Sequence, residues 1–544
     1  MPTLRKALER YQQACDDFQW NLPDQFNFGR DVVDHWADGS ERPALFCHDT
    51  AGNERRLSFD DVARAANRVA HLLRALGIRP GDPLILMLTR VPEWQIVSVA
   101  ALEIGALLIP SSTLLRPKDI AYRANHSGAV AIIAQGDAQA ATDAIRHELP
   151  GVSHFLELVP LGSAAADGWL DLRAAAAEQP DDPGAGVPTA ASDPALVFYT
   201  SGTTGPPKAV LHTHAYTFAQ RATSTQWHGV RTGERLWTTS DTGWAKAAYG
   251  VIFGPWSVGA EVVLVEGRFD PATQLRLLSE IAPQVFCAPP TEFRLLVKQN
   301  LSDFAVPGLR ECVSAGEPLN PEVIRAWEAA TGITIRDGYG QTESILLVGN
   351  FPGMPVRPGS MGLPLPGMRV EVIDEGGTAL QAGEVGEIAV HGRSPGLFRE
   401  YWKDAEATAN CRVGDWYLTG DRARRDEDGY FWFVGRNDDV IISAGYRIGP
   451  FEVESALIEH PDVLESAAVA APDPDRGAVV KAFVVLRPGV SGDDRLANAL
   501  QDHVKRITAP YKYPRIIEFV DALPKTVSGK IRRVELRERP PNAT

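Results

Sequence analysis

Cysteine is scarce in this sequence, and so is methionine: five of each among 544 residues. Cys15, Cys47, Cys287, Cys312 and Cys411 lie far apart, without a C-x-x-C pair. An odd count excludes complete pairing within one chain, and the spacing is that of no zinc site. Reduced thiols in a cytoplasmic protein are therefore expected. Long apolar runs are also lacking. The stretch 96–108 contains Glu103 and falls short of the roughly 20 residues needed to cross a bilayer. The first 20 residues carry Arg5, Lys6, Glu9 and Asp16 and have no apolar core of a secretory signal. These absences predict a soluble protein with no transmembrane segment. Basic excess is missing as well: 54 Lys and Arg stand against 69 Asp and Glu, a net charge of −15. That argues against a nucleic-acid partner, which calls for a basic face, while leaving room for cations in one small anionic site.

What is present is ordinary globular composition, 44% hydrophobic and 23% charged. The length suggests one multi-lobed body or two to four domains, large enough to bury a core without disulfides. Residues 58–76 read as an amphipathic helix, with Ser58 and Asp61 as a capping pattern and Gly77 as its stop. A strand at 83–88, a helix over 93–105 and a strand at 106–110 follow. This alternation predicts parallel α/β layers, to which 128–134 and 260–265 add strands. Residues 161–194, rich in Ala, Asp, Gly and Pro, are expected to form a surface excursion. Near the C-terminus a helix opens at Gly449-Pro450 and ends before Pro461. Strands are predicted at 467–470, 482–486 and 516–520, and a helix over 496–507. We therefore expect an α/β fold in two parts, 1–436 and 437–544, the second small and α+β.

The most informative stretch is Leu196-Val-Phe-Tyr-Thr-Ser-Gly-Thr-Thr-Gly-Pro-Pro-Lys208, an apolar strand running into a hydroxyl- and glycine-rich loop closed by lysine. Glycines let backbone N–H groups converge on phosphate oxygens, and the hydroxyls of Thr200, Ser201, Thr203 and Thr204 add donors beside Gly202 and Gly205. Lys208 supplies a point charge. Pro206 and Pro207 separate it from the second glycine, so this is no Walker A loop.

This string resembles the signature loop of the adenylate-forming superfamily of acyl-CoA synthetases, luciferases and peptide-synthetase adenylation domains. Further similar segments follow in the same order: Ser240-Asp-Thr-Gly-Trp244, Asp337-Gly-Tyr-Gly-Gln-Thr-Glu343, Ser443-Ala-Gly-Tyr-Arg447 and Thr508-Ala-Pro-Tyr-Lys-Tyr-Pro514. The likeness is greatest to the medium-chain acyl-CoA synthetases and spans nearly the whole chain. It implies an AMP-forming acyl-CoA synthetase that takes ATP, Mg2+, coenzyme A and a small carboxylic acid, with a mobile C-terminal domain turning about a hinge at Asp438.

Carried over residue by residue, the resemblance implies a nucleotide site at Gly316, Glu317 and Pro318 and at Asp337, Gly338, Tyr339, Gly340 and Gln341, with Tyr339 stacked on adenine. Thr342 would meet the α-phosphate and Glu343 would hold the metal. The chemistry fits, because a hard cation takes carboxylate and phosphate oxygens. Asp421 would bind the ribose hydroxyls, and Arg436 would add a second ribose or phosphate contact. Lys530, after a Ser-Gly turn, is the catalytic lysine of adenylation, with Lys525 as the competing choice. A cation there stabilises the charge that builds as a carboxylate attacks the α-phosphorus. Coenzyme A would meet Ala444, Gly445, Tyr446 and Arg447, with Arg476, Lys505, Lys512, Tyr513 and Pro514 toward its phosphates and adenine. Ala444 stands where close relatives often have Ser, so one hydroxyl contact is missing.

The acyl pocket is expected around Trp244, Tyr249, Gly250, Val251, Gly316 and Gly340. Acetyl-specific relatives carry Trp in place of Gly340, so a longer or wider acid is implied: medium-chain, branched or aryl. His212 and His214 read as packed structural histidines, and Lys246 has no assignable role. Alternatives are a short-chain propionate or butyrate ligase, an adenylase loading a carrier protein in trans, an oxygenating luciferase and a nucleotide-binding sensor. Only fourteen residues follow Lys530, so no attached carrier domain is expected. The oligomeric state stays open, a homo-oligomer included.

Overall fold

The structure, a computed structural model, describes residues 4–200, 207–443, 446–473, 476–526 and 530–539. Two large sheets dominate. In the first, strands run in the order Leu363–Pro364, Leu346–Gly349, Ile335–Gly340, Glu311–Ala315, Val285–Cys287, Arg235–Thr238, Glu261–Val265, Pro43–His48, Glu54–Ser58. The six from Ile335–Gly340 to Pro43–His48 pair parallel. Parallel strands are covered on both faces, which is why they read as unbroken apolar runs rather than alternating ones.

The second sheet runs Glu400–Tyr401, Lys208–Thr213, Pro194–Thr200, Leu107–Pro110, Pro83–Met87, Ala131–Ala134, His154–Glu157, Leu170–Asp171. The helix Phe59–Ala75 links Glu54–Ser58 of the first sheet to Pro83–Met87 of the second, and Ser58 and Asp61 form the reciprocal cap predicted for them. Pro92 starts the next helix, Pro92–Glu103, which is buried almost all round. Residues 161–194 do more than cross the surface. Leu170–Asp171 extends the sheet, Leu172–Ala177 forms a helix against Phe59–Ala75, and Trp169 and Leu172 are buried. The compositional signal hid them because the two elements are too short to show a period.

A third sheet carries Val370–Ile373, Val385–His391, Trp416–Arg425, Arg412–Val413 and Phe431–Arg436. After it, Ile441–Ser443 and Tyr446–Ile448 form a hairpin, and Val463–Asp473, Gly477–Leu486 and Ile516–Phe519 a small sheet. Helices Pro450–Ile458 and Asp494–Ile507 cover that sheet through Val453, Leu457, Leu500 and Val504. Among the described residues, no buried apolar cluster crosses 434–440: one ends at Phe433 and another begins at Ile441. Polar contacts join the two sides, including Asn320 Nδ2 to Ser455 Oγ at 2.9 Å and Lys298 Nζ to the Leu464 carbonyl at 3.2 Å. Among the described residues, no helix is long and apolar enough to cross a membrane.

Candidate active site

The motif residues gather past the C-terminal ends of the parallel strands. Strands ending at Thr238, Cys287, Ala315 and Gly340 feed loops 239–244, 288–289, 316–320 and 341–345, where α/β sheets place their ligands.

Asp421 is the centre of the polar cluster. It sits on Trp416–Arg425, opposite Arg436 in the neighbouring strand, and is buried. Its Oδ2 accepts from the Tyr339 hydroxyl at 2.7 Å and from Gln341 Nε2 at 2.6 Å. Gln341 is itself fixed, donating to the Thr419 carbonyl at 2.8 Å and accepting from the Tyr417 hydroxyl at 2.9 Å. Burial pushes the Asp421 carboxyl up, while the Tyr339 hydrogen bond and the Arg436 charge pull it back. A carboxylate held this way keeps acceptor capacity for a vicinal diol.

Glu343 lies beside it. Its Oε1 accepts from the Tyr401 hydroxyl at 2.8 Å, and desolvation raises its carboxyl above the usual range against that hydrogen bond. Lys208 Nζ stands 4.7 Å from the centroid of the same Tyr401 ring. Among the described residues no cluster of three ligand-type side chains exists. One desolvated carboxylate, with Lys208 across the Tyr401 ring, fits a hard divalent cation that takes its other ligands from water and from a bound anion. Tyr401 escaped sequence reasoning because it lies on the two-residue strand Glu400–Tyr401, which reaches the site only by pairing with Lys208–Thr213.

The backbone between these groups is locked from behind. His212 Nε2 and the Thr342 carbonyl are 2.7 Å apart, and the His212 ring stacks on Tyr216 at 3.8 Å. Burial drives this imidazole down to about 3, so it stays neutral and holds Thr342 in place. His214 is likewise buried. Asp337 faces inward and accepts from the Gly338 amide at 2.9 Å; burial pushes its carboxyl up to about 8. Its side chain therefore braces the turn from behind. Glu317 accepts from Thr291 Oγ1 at 2.7 Å and Arg294 Nη2 at 3.1 Å. Burial raises its carboxyl, but the Arg294 charge and these bonds more than offset that and leave it below the ordinary range.

At Gly340 the structure adds a constraint to the expectation of open space. A Cβ there would lie 2.8 Å from the Ile345 carbonyl oxygen and 3.2 Å from Leu346 Cα, so glycine is needed for the close turn into Leu346–Gly349. Gly250 likewise packs against the Thr238 side chain. Trp244 is placed by Asp241, which accepts from the Gly243 amide at 2.8 Å and the Ser112 hydroxyl at 2.9 Å.

Lys530 lies within electrostatic reach of Asp421, Glu317 and Lys246. Lys525 instead is held by Glu465 at 2.7 and 2.9 Å. Asp438 is 3.6 Å from Arg436 Nε in the turn after Phe431–Arg436. A second aromatic and basic group forms elsewhere: Tyr446 stacks on Tyr511 at 4.4 Å, and Lys505 Nζ lies 4.3 Å from the centroid of the Tyr513 ring. Lys512 pairs with Glu452, and the Arg476 amide donates to Asp473 at 2.9 Å. Ser201, Gly202, Thr203, Thr204, Gly205, Ala444, Gly445 and the Arg447 side chain lie outside the described residues.

Family models match the chain twice, as AMP-binding enzyme over residues 33–402 and as AMP-binding enzyme C-terminal domain over 452–530. The chain belongs to the AMP-binding enzyme family. This AMP-binding enzyme is 43% identical over 543 residues to the rat mitochondrial acyl-coenzyme A synthetase ACSM3, covering 97% of this chain and 93% of the relative. It is 45% identical over 520 residues to YtcI of Bacillus subtilis strain 168, described as an uncharacterized acyl-CoA ligase, with 95% and 96% coverage. Among solved structures, the anthranilate CoA ligase AuaEII in complex with anthranoyl-AMP superposes with a TM-score of 0.89 at 31% identity, covering 96% of this chain and 98% of that one.

Proposed function

We infer that the protein is an AMP-forming acyl-CoA synthetase, an acid–thiol ligase. A substrate carboxylate attacks the α-phosphorus of ATP, giving acyl-adenylate and pyrophosphate. The thiol of coenzyme A then takes the acyl group and AMP leaves. The reading is carried by the convergence of Asp421, Gln341, Tyr339 and Glu343 on one cluster that Lys530 faces from the C-terminal part.

In this scheme Asp421 accepts from the ribose hydroxyls, with Arg436 beside it. Tyr339 is already tethered through its hydroxyl, which leaves its ring face for adenine. Thr342, held from behind by His212, presents its hydroxyl toward the α-phosphate. Glu343, oriented by Tyr401, would hold Mg2+, whose contribution when bound is to neutralise phosphate charge. Lys530 supplies a positive charge where it develops in the transition state, and the pairing of Lys525 with Glu465 makes Lys530 the better choice. The change from one buried cluster to another between Phe433 and Ile441 supports a boundary near 436 and a turning point at Asp438. We assign Tyr446, Arg447, Arg476, Lys505 and the Lys512–Pro514 stretch to coenzyme A. The substrate class is a medium-chain, branched or aryl acid, and the name of the anthranilate CoA ligase supports the aryl member of that set. The five free thiols fit a reducing compartment such as the cytoplasm.

The deciding experiment is pyrophosphate release over a panel of acids, with and without coenzyme A. Acid-dependent pyrophosphate and AMP, with acyl-CoA formed only when coenzyme A is present, is the expected result. Release of ADP and phosphate would refute it. Acyl-AMP that coenzyme A fails to discharge would favour loading of a carrier protein.

A further inference from the structure

Lys246 has its charge in an unusual place. The residue is half-buried, yet its Nζ is fully buried and, among the described residues, has no hydrogen-bond partner. A long cationic side chain usually does the reverse, burying its stem and keeping the ammonium in water. The helical turn Ala245–Ala247, set by the Asp241 and Gly243 joint, aims it at Gly316, where a Cβ would lie 4.0 Å from Nζ and 3.9 Å from Cε. Among the described residues, and apart from the chain neighbours of Gly316, no other heavy atom comes within 4 Å of that position.

The groups facing the ammonium are His228, Cys287, Glu292, Glu317 and Lys530. Neither carboxylate bonds to it. Glu317 is occupied by Arg294 and Thr291, and Glu292 accepts from Gln274 at 3.1 Å. Besides Lys530, whose charge serves the reacting centre, two cations, Lys246 and Arg294, stand against the two carboxylates, and the N–H donors of Lys246 find no acceptor among the described residues. A buried donor without an acceptor is costly, and one aimed at the exposed Gly316 points to a ligand.

We propose that Lys246 is a specificity-determining residue whose ammonium donates to a neutral oxygen substituent on the acid, a hydroxyl or carbonyl close to its carboxyl end. This rests on the acyl-CoA synthetase reading. The position follows from Lys530, which faces both the reacting centre and Lys246. Neutrality follows from the local charge balance, since a second carboxylate would sit opposite Glu292 and Glu317. A site built around a hydrogen bond discriminates strongly against an analogue lacking that group.

The test compares kcat/KM for acyl-AMP formation with hexanoate and 3-hydroxyhexanoate, and with benzoate and 2-hydroxybenzoate, in wild type, Lys246→Met and Lys246→Gln. The wild type should favour the oxygenated member of at least one pair by about tenfold or more. Lys246→Met should lose that preference through a fall for the oxygenated acid, with the plain acid unchanged or faster. Lys246→Gln, which keeps a donor, should retain part of it. Loss of a buried unpaired charge should leave the Met variant melting no lower than wild type. An equal fall for all acids, or an unchanged ratio because water satisfies the ammonium, overturns the proposal while leaving the synthetase reading intact. No acyl-AMP from any acid in wild type overturns both.

Discussion

Replacing Tyr401 with phenylalanine removes one hydroxyl and keeps the ring that Lys208 approaches at 4.7 Å. The hydroxyl donates to Glu343 Oε1 at 2.8 Å, in a site where burial already raises that carboxyl. A hydrogen bond to a charged group contributes about 1.5–3 kcal/mol. At about 1.4 kcal/mol per pKa unit, its loss should lift the Glu343 carboxyl a further one to two units or so. The sign is fixed by the protonation state: the bond stabilises the ionised form, so its removal lets a proton compete better with Mg2+. The acid limb of adenylation should therefore move up by about one to two pH units, with a matching rise in the Mg2+ needed on that limb. Well above the limb the two proteins should converge. The assay is pyrophosphate release at fixed ATP and acid, titrating total Mg2+ across pH. An acid limb and a Mg2+ requirement both identical to wild type would refute the assignment of Glu343 to the metal.

Asp421→Ala removes the acceptor shared by Tyr339 and Gln341, and should raise the KM for ATP far more than that for the acid; an equal rise in both would point to general collapse. Asp337 has a folded-state carboxyl near 8 against an ordinary value of about 3.8, so the native state binds the extra proton and stability falls as pH rises between those values. Asp337→Asn keeps a side-chain acceptor without the charge, and should flatten the decline of Tm over that window; an undiminished slope would show that another group causes it. Gly340→Ala forces a Cβ to 2.8 Å from the Ile345 carbonyl and should cost about 1–3 kcal/mol, read by denaturant unfolding; wild-type stability would remove the close-approach argument.

Local signals made much of the fold legible. The Ser58 and Asp61 cap, the helical segment from residue 93 and the apolar strands 83–87 and 261–265 each declare themselves within a few residues. The motif residues Asp421, Gln341 and Glu343 were legible through resemblance, and the structure brings them together. Tyr401, Arg294 and Thr291 were not, because their roles arise from partners 58, 23 and 26 residues away. Lys246 was visible but mute, since an unpaired ammonium is a property of packing. Gly340 read as space for an acyl chain, whereas its Cβ direction is closed by backbone, which spacing alone cannot reveal.

The central claim is a two-step synthesis in which Lys530 serves only the first step. Single-turnover measurement of both half-reactions in Lys530→Ala tests it most directly: acyl-AMP formation from acid and ATP, then acyl-CoA formation from supplied acyl-AMP. The account predicts a loss of at least about a hundredfold in the first, as for removal of one preorganised charge-stabilising group, with the second within a few-fold of wild type. Equal losses in both steps, or none in the first, would contradict it.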